Sequence, residues 1–454
     1  MKNVKLELKK RLLFLRTIGI YYALFASKAL FKSKCIMLVS ILPILLFGSS
    51  SPVLAQKVAQ NKTLYIYHDS DYSSHTQSAM AMKMGFQTAM DEVGNKVQGY
   101  TLKLLEKDHR GNSVRSKLHM KQFLADPQAL FMLGGLHSPP YIRFREYINT
   151  EGVLLMVPWA AGGPITRFDK GLNWVFRLSI DDTKAGYRIG QFALDGLNCK
   201  RPHLLLEDTP WGKSNQNTMN KALLTQLEGE PPVTWFNWNT RPNAARIILR
   251  DVVETGADCI LFVGNTLEGE NFSKAMISFE EQKRLPIISH WGITGGGFHE
   301  QVDKVMREKL TLYFIQTCFS FFSSEPSEHT RDVLERVKRL FPSAIRTAED
   351  IPAPPGFIHT YDLTRLIISA LKDVTLTGDV KKDRAALRHA LERDHKPVQG
   401  LIKTYRQAFS PWTKTNSDAH EALDLDDFCM AQYDNADRVL VMPNALPVTG
   451  IHVK

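Results

Sequence analysis

Cysteine is scarce in this sequence of 454 residues, which contains only five. No C-x-x-C pair and no cluster of histidines and cysteines is present, so the sequence does not predict a metal site. Four cysteines follow residue 55, at Cys199, Cys259, Cys318 and Cys429. In an exported protein, this even number allows two disulfides with three alternative pairings. Buried free thiols fit the sequence equally well.

The sequence also lacks the common motifs of catalysis and nucleotide binding. G-x-S-x-G, H-E-x-x-H and G-x-x-x-x-G-K-[ST] are all absent. The glycine-rich stretch "GITGGGF" (292–298) does not have G-x-G-x-x-G spacing. We therefore expect no catalytic residues and no cofactor. A hydrolytic enzyme is the alternative from another class, and a turnover assay on candidate substrates would separate the two.

Most of the chain has little excess of positive over negative charge, although the net charge of the whole sequence is +10. Residues 1–55 hold nine lysines and arginines against Glu7 alone, so this leader carries eight of the ten net charges. The remainder is nearly neutral, and no helix-turn-helix pattern precedes the first α/β segment. The sequence therefore predicts no nucleic-acid partner.

The leader is typical of a secretory signal. Its basic start is followed by the apolar run "CIMLVSILPILLFGSS" (35–50) and by Val53-x-Ala55, a small-residue cleavage site. The apolar run is shorter than the ~20 residues that a membrane span needs, and Pro43 interrupts it. We predict a signal peptide over 1–55, cleaved after Ala55, and a periplasmic protein. A retained membrane anchor is the alternative.

From Thr63 onward, short apolar runs alternate with helical patterns. The runs at 129–135 and 153–159 are almost wholly apolar, as central parallel strands are when helices cover both faces. The alternation restarts after residues 173–179, and the chain returns after a second half of similar size. The sequence therefore predicts an α/β fold with two doubly wound lobes.

Ligands of open α/β sheets bind beyond the carboxyl ends of the strands. Three of the predicted loops at those ends contain a tryptophan, at Trp159, Trp211 and Trp291. Such residues often only pack two lobes together, but three in equivalent loops indicate a cleft. In "GGLHSPP" (134–140), Ser138 precedes Pro139-Pro140, a pattern that predicts a helix cap. The same helix end could bind an anion.

Three stretches resemble a known family. "GGLHSPP", "EGVLLMVPWAAGGPITR" (151–167) and "FRLSIDDTKAGYRIGQFAL" (176–194) are similar to the first lobe and first crossing of the Leu/Ile/Val-binding proteins. These are type I periplasmic solute-binding proteins that serve ABC importers, and the resemblance covers roughly residues 60–442. It implies two lobes joined by three crossovers, which close on a ligand without catalysis. We expect lobe 1 to comprise 60–178 and 317–397, and lobe 2 to comprise 179–316 and 398–442.

The resemblance also implies a set of ligand-binding residues. Ser138 matches the serine that binds a ligand carboxylate, and Trp291 stands where amino-acid binders carry an acid for the ligand ammonium. Asp208, Glu268 or Glu270 could replace that acid, but the simplest inference is a ligand other than a standard aliphatic amino acid, namely a small, partly apolar or aromatic carboxylate. We expect affinity to be lost in Ser138→Ala and Trp211→Ala. The predicted site residues are Tyr72, His137, Ser138, Trp159, Ala160, Ala161, Trp211, Asn265 and Trp291.

The expected partners are a small-molecule ligand and an ABC permease, with a monomeric binding protein between them. A receptor of the same fold that acts on a membrane sensor is the alternative, and neighbouring genes would separate the two. The acidic stretch "DAHEALDLDDF" (418–428) lacks the spacing and the central glycine of a Ca²⁺ loop, so we expect a solvated surface loop there.

Overall fold

The computed structural model describes residues 62–393 and 396–442. The predicted signal peptide lies outside these residues. Two sheets dominate the fold, and the helices cover their faces. In the described part of the chain, no helix combines the length and the apolar character needed to cross a membrane.

The first sheet has six strands in the order β2-β3-β1-β4-β5-β6, and all its pairs are parallel except β2 with β3. Every residue of β4 is buried, as the apolar run at 129–135 predicts. The strands are β1 (Lys62–Ser70), β2 (Lys96–Val97), β3 (Tyr100–Asp108), β4 (Ala129–Gly134), β5 (Leu155–Val157) and β6 (Val175–Arg177).

The second sheet has seven strands in the order β15-β14-β11-β10-β9-β7-β8, and only β14 and β15 run antiparallel to their neighbours. A separate hairpin is formed by β12 and β13. The strands are β7 (Pro202–Glu207), β8 (Val233–Phe236), β9 (Cys259–Val263), β10 (Ile287–Ser289), β11 (Leu312–Thr317), β12 (Val398–Gln399), β13 (Thr404–Tyr405), β14 (Phe428–Tyr433) and β15 (Val439–Val441).

Thirteen α-helices lie within the described residues. Several begin with a side-chain cap: Asn112, for example, accepts hydrogen bonds from two backbone N–H groups of α2. The helices are α1 (Thr76–Asp91), α2 (Ser113–Ala125), α3 (Pro139–Arg143), α4 (Arg145–Glu151), α5 (Asp182–Gln191), α6 (Pro210–Leu223), α7 (Pro242–Glu254), α8 (Thr266–Ile277), α9 (Phe298–Gln301), α10 (Lys304–Arg307), α11 (Glu328–Leu340), α12 (Pro354–Lys372) and α13 (Val380–Leu391).

The chain passes between the sheets three times. It leaves the first sheet after β6, and it returns after β11 to form α12 and α13, which pack on α1 and β4. It then enters the second sheet again at β14. This arrangement confirms the two predicted doubly wound lobes. The hairpin β12–β13 packs against α12, on the side of the first sheet, and the lobe bounds given above stay a prediction.

Both disulfides allowed by the sequence are present. Cys199 is bonded to Cys259 beside the start of β9, and Cys318 is bonded to Cys429 between β11 and β14. Each bridge joins neighbouring parts of the second sheet. Paired cysteines are typical of proteins that fold in an oxidising compartment, in keeping with export.

The acidic stretch at 418–428 is only partly the solvated loop that its composition suggests. Asp424 and Asp426 are exposed, but His420 is fully buried and Glu421 is nearly so. Glu421 pairs with the buried guanidinium of Arg177, with Nη2 and Oε1 separated by 2.6 Å. The expectation of a surface loop is therefore wrong for residues 419–423, because a cation 244 residues before Glu421 neutralises this glutamate.

Candidate functional site

Seven of the nine predicted site residues line one small cavity between the two sheets. Its volume is only about 10 Å³, close to the space that a single water molecule needs. Glu207 and Gly292 also line this cavity. The seven residues are His137, Ser138, Trp159, Ala161, Trp211, Asn265 and Trp291.

The three tryptophans fill most of this space. The rings of Trp159 and Trp291 are 5.5 Å apart at an angle of 45°. Trp211 lies edge-on to His290, and its Nε1 donates a hydrogen bond to Asp182 Oδ1 over 3.2 Å. All three indoles are buried. The indoles therefore meet in the cleft, as the strand-end loops predict, but they leave no room for an amino acid in this conformation.

Two predicted residues lie outside the small cavity. Tyr72 directs its hydroxyl to His68, with the oxygen 2.6 Å from Nδ1. Ala160 is buried, and its carbonyl accepts a hydrogen bond from Arg177. Neither side chain lines the small cavity.

The helix end at Ser138 differs from the sequence-based expectation. Ser138 makes no side-chain cap, and its hydroxyl accepts a hydrogen bond from the Gly162 N–H over 3.0 Å. The helix has five residues and begins with two prolines, which have no N–H to offer an anion. The N–H of Gly135 is already bonded to the Tyr141 hydroxyl. The prediction of a side-chain cap at Ser138 is wrong, and the binding of an anion at this helix end stays a prediction that the two prolines make less favourable.

A larger cavity of about 340 Å³ lies beside the small one, and Asn265 borders both. This volume falls within the usual range of small-molecule sites. Asp71, His75 and Arg110 come from loops after strands of the first sheet, and Glu268 and Glu270 come from α8 beside the second. Because both lobes supply walls, a solute here would contact each of them.

Carboxyl groups dominate the polar wall on the second lobe. Burial raises the pKa of Glu268, whose Oε1 accepts a hydrogen bond from the Asn239 N–H over 2.8 Å. Burial also raises the pKa of the half-buried Glu270 to about 7. Behind them, burial and the charge of Glu268 raise the pKa of Glu207 to about 8. A nearby cation would favour the ionised form of each group.

The first lobe contributes a cluster of one carboxylate and two imidazoles. Asp71 Oδ2 lies 3.2 Å from His75 Nδ1 and 3.4 Å from His137 Nε2. Burial lowers the pKa of His137 to about 3, so that its imidazole is neutral. Although burial opposes the shift, hydrogen bonds with His137 and His75 lower the pKa of Asp71. The sequence contains no metal-site spacing, yet these three side chains could together hold a metal ion.

Of the three acids that the sequence offers for a ligand amine, Glu268 and Glu270 border the larger cavity and Asp208 does not. Asp71, His75, Glu207 and Trp238 were missed. The Asp71-x-x-x-His75 spacing before a predicted helix could have drawn attention to the first two. Nothing in the local sequence marks Glu207 or Trp238.

Comparisons with known proteins support the fold and show the family. A family model described as "Periplasmic binding protein" matches residues 53–422. The chain belongs to this family. The predicted likeness to the type I, Leu/Ile/Val-binding proteins is thereby confirmed. The family consists of solute-binding proteins rather than enzymes, and its name places it in the periplasm.

Solved periplasmic binding proteins share the fold at low sequence identity. The leucine-binding protein LivK of Thermotoga maritima is 15% identical, with a TM-score of 0.65 over 84% of this chain and 98% of its own. LivJ of Streptococcus pneumoniae, in complex with isoleucine, is 19% identical, with a TM-score of 0.60 over 84% and 100%. An ABC transporter solute-binding protein of R. palustris, in complex with 4-hydroxybenzoate, is 15% identical, with a TM-score of 0.65 over 83% and 95%. No curated protein sequence matches.

Proposed function

We propose that this periplasmic binding protein captures a small, amino-acid-like solute in the larger cavity and delivers it to an ABC permease in the membrane. The proposal places the solute between Asp71, His75 and Arg110 on one side and Glu268 and Glu270 on the other. Each end of an amino acid then has a partner of opposite charge.

The observation that carries this proposal is the set of buried carboxyl groups at the cavity wall. Glu268 is 4% exposed and Glu270 is half-buried, and burial raises the pKa of both. A buried carboxyl group, which has lost its contact with water, is stabilised more by a nearby cation than an exposed one is. A protonated amine supplies that cation and a hydrogen-bond donor in one group.

A carboxylate on the same solute would lie near Arg110. This guanidinium borders the larger cavity, and its Nε lies 3.2 Å from Asp108 Oδ2. Its side chain is largely exposed, so it can turn toward a solute at low cost. One arginine opposite several acids suits a zwitterion better than a simple carboxylate. For this reason we favour the isoleucine-type ligand of LivJ over the 4-hydroxybenzoate of the R. palustris protein.

Matched ligands test this assignment. The purified protein is titrated calorimetrically with neutral amino acids, with the corresponding amines that lack a carboxylate, and with acids that lack the amine. We expect an amino acid to bind most tightly and to raise the unfolding free energy by about 2.7 kcal/mol at one hundred times its Kd. Preferred binding of the acid that has no amine would contradict the assignment.

Variants locate the binding site. Glu268→Gln removes a buried charge and keeps the side-chain shape, so we expect a loss of affinity of about 10- to 100-fold. Asp208→Asn is the matched control, because this acid lies outside the cavity and is about half exposed. Ser138→Ala and Trp211→Ala, which alter the small cavity, test the sequence-based site. If those two variants lose affinity while Glu268→Gln does not, the solute sits in the small cavity.

A further inference from the structure

We propose that Asp71, His75 and His137 form a binding site for a divalent transition-metal ion, with zinc as the best-matched metal. Asp71 follows β1, His75 is the residue before α1, and His137 follows β4. Strands β1 and β4 pair in parallel, with Asp69 opposite Gly134. Their following loops therefore meet at one edge of the sheet, which brings the three side chains together.

The two distances from Asp71 to the imidazole nitrogens fit the spacing of ligands around a tetrahedral ion. Asp71 Oδ2 is 3.2 Å from His75 Nδ1 and 3.4 Å from His137 Nε2. Zinc bonds of about 2.0–2.1 Å place neighbouring tetrahedral ligands about 3.3 Å apart. One ligand atom from each of the three residues lies within 4.8 Å of the others. Carboxylate with two imidazoles is also a known donor set for catalytic-type zinc sites.

The hydrogen bonds within this cluster are long. Charge-assisted N–H···O bonds are usually about 2.7–2.9 Å long. The same molecule provides a contrast nearby, because His119 Nδ1 lies 2.6 Å from Asp69 Oδ1. Around Asp71, two imidazoles share a single carboxylate oxygen at longer range. The three groups are therefore close enough to share one ion without being held tightly to one another.

The surroundings hold the ligands in place. The other oxygen of Asp71 accepts hydrogen bonds from the N–H groups of Ser73 and Ser74, which leaves Oδ2 for the histidines. Such outer contacts orient metal ligands. On the opposite lobe, the ring of Trp238 lies 4.7 Å from that of His137 and shields the cluster.

A third buried imidazole adds an independent observation. The ring of His109 is 5.5 Å from that of His137. His109 Nδ1 accepts a hydrogen bond from the Gly111 N–H. Its Nε2 is buried without a hydrogen-bond partner among the described residues. Because Nδ1 accepts that bond, the hydrogen of the neutral imidazole is on Nε2, so this nitrogen offers an N–H and not a metal ligand. A buried N–H without an acceptor costs free energy, and a water molecule bound at the ion would provide one.

A metal ion at this site would give the larger cavity an open coordination position, because Asp71 and His75 border that cavity. An ion with three protein ligands keeps a position for water or for an oxygen of a bound molecule. Coordination of a solute carboxylate at that position rests on the proposed function, whereas the metal site itself does not.

Metal titration tests the proposal. The full protein is stripped with a chelator and titrated with Co²⁺, whose visible absorption reports tetrahedral coordination, and then with Zn²⁺ in competition. We expect one equivalent to bind and Zn²⁺ to displace it. His75→Ala and His137→Ala should each weaken Zn²⁺ binding by at least about 100-fold. His389→Ala is the control, since this imidazole is 70% exposed and lies outside the cluster.

His75→Ala and His137→Ala differ in the risk that the variant fails to fold. His137 is buried, whereas the His75 side chain is 16% exposed, so circular dichroism should show His75→Ala to be folded. Stoichiometry well below one, or undiminished binding in His75→Ala, would overturn the proposal. Solute binding is measured separately on the stripped protein. If the protein binds a solute but no metal, the proposed function stands and the metal site is refuted. If it binds a metal but no solute, the metal site stands and the proposed function is refuted.

Discussion

A buried ion network joins the segments that cross between the lobes, and removing one carboxylate from it should be costly. Arg177 is fully buried and pairs with Asp181 over 2.8 Å and with Glu421 over 2.6 Å. A second bond joins Arg177 Nε to Glu421 Oε2 over 2.7 Å. Glu421→Ala therefore leaves a buried guanidinium with one carboxylate in place of two.

The expected cost follows from that geometry. Breaking a buried pair by removing one partner typically costs about 3–5 kcal/mol. Asp181 stays in place beside Arg177, so we expect the lower end, about 3 kcal/mol. The double variant Arg177→Met/Glu421→Met leaves neither charge of this pair unpaired and should recover part of this loss. Recovery should be incomplete because the carbonyls of Ala160 and Gly162 lose the Arg177 donor.

Urea denaturation followed by circular dichroism measures these differences. Glu254→Ala is the matched control: its partner Arg250 is 3.8 Å away, and both side chains are more than half exposed. That change should alter the unfolding free energy by less than about 0.5 kcal/mol. A cost below about 1 kcal/mol for Glu421→Ala, or a double variant less stable than the single one, would refute the reasoning.

Three further predictions concern stability. Glu207 has its pKa raised from 4.5 to about 8, so between these pH values the folded state holds a proton that the unfolded state has lost, and stability falls as pH rises. Glu207→Gln should remove this fall, which amounts to up to about 5 kcal/mol, in urea denaturation at several pH values. A Cβ on Gly85 would collide with the carbonyl of Phe357, so Gly85→Ala should cost about 1–3 kcal/mol in the same assay, and no change would contradict the close packing of α1 on α12. Opening the Cys318–Cys429 bridge, which spans 111 residues, should cost about 2–5 kcal/mol; equal urea midpoints for the oxidised protein and a Cys318→Ser/Cys429→Ser variant would argue against it.

The order of elements could be predicted because it depends on local patterns. The apolar runs at 129–135 and 153–159 contain β4 and β5, and every residue of both strands is buried, as expected. Both depend on side chains that alternate or cluster within a few residues. The restart of the alternation was likewise enough to predict two lobes.

The helix end at Ser138 could not be judged from its own residues. Its hydroxyl bonds to Gly162, 24 residues later, and not to its own helix. The acidic stretch at 418–428 was misjudged for the same reason, since the cation that allows its burial is Arg177. Local composition cannot reveal a partner supplied by a distant segment of the chain.

The candidate site was predicted in part. The strand-end loops did bring Trp159, Trp211 and Trp291 together, but their combined bulk fills the space between them. The larger cavity depends on Asp71 and Glu268, which come from different lobes. Its size and charge follow from how the two lobes close on each other, and no single stretch of sequence contains that information.

The most direct test of the central claim is a crystal structure of the protein with the amino acid that binds most tightly in calorimetry. The account predicts electron density for the solute in the larger cavity, with its amine within hydrogen-bond distance of Glu268 or Glu270 and its carboxylate toward Arg110. Density between the three indoles of the small cavity, or on the outer surface of either lobe, would contradict it.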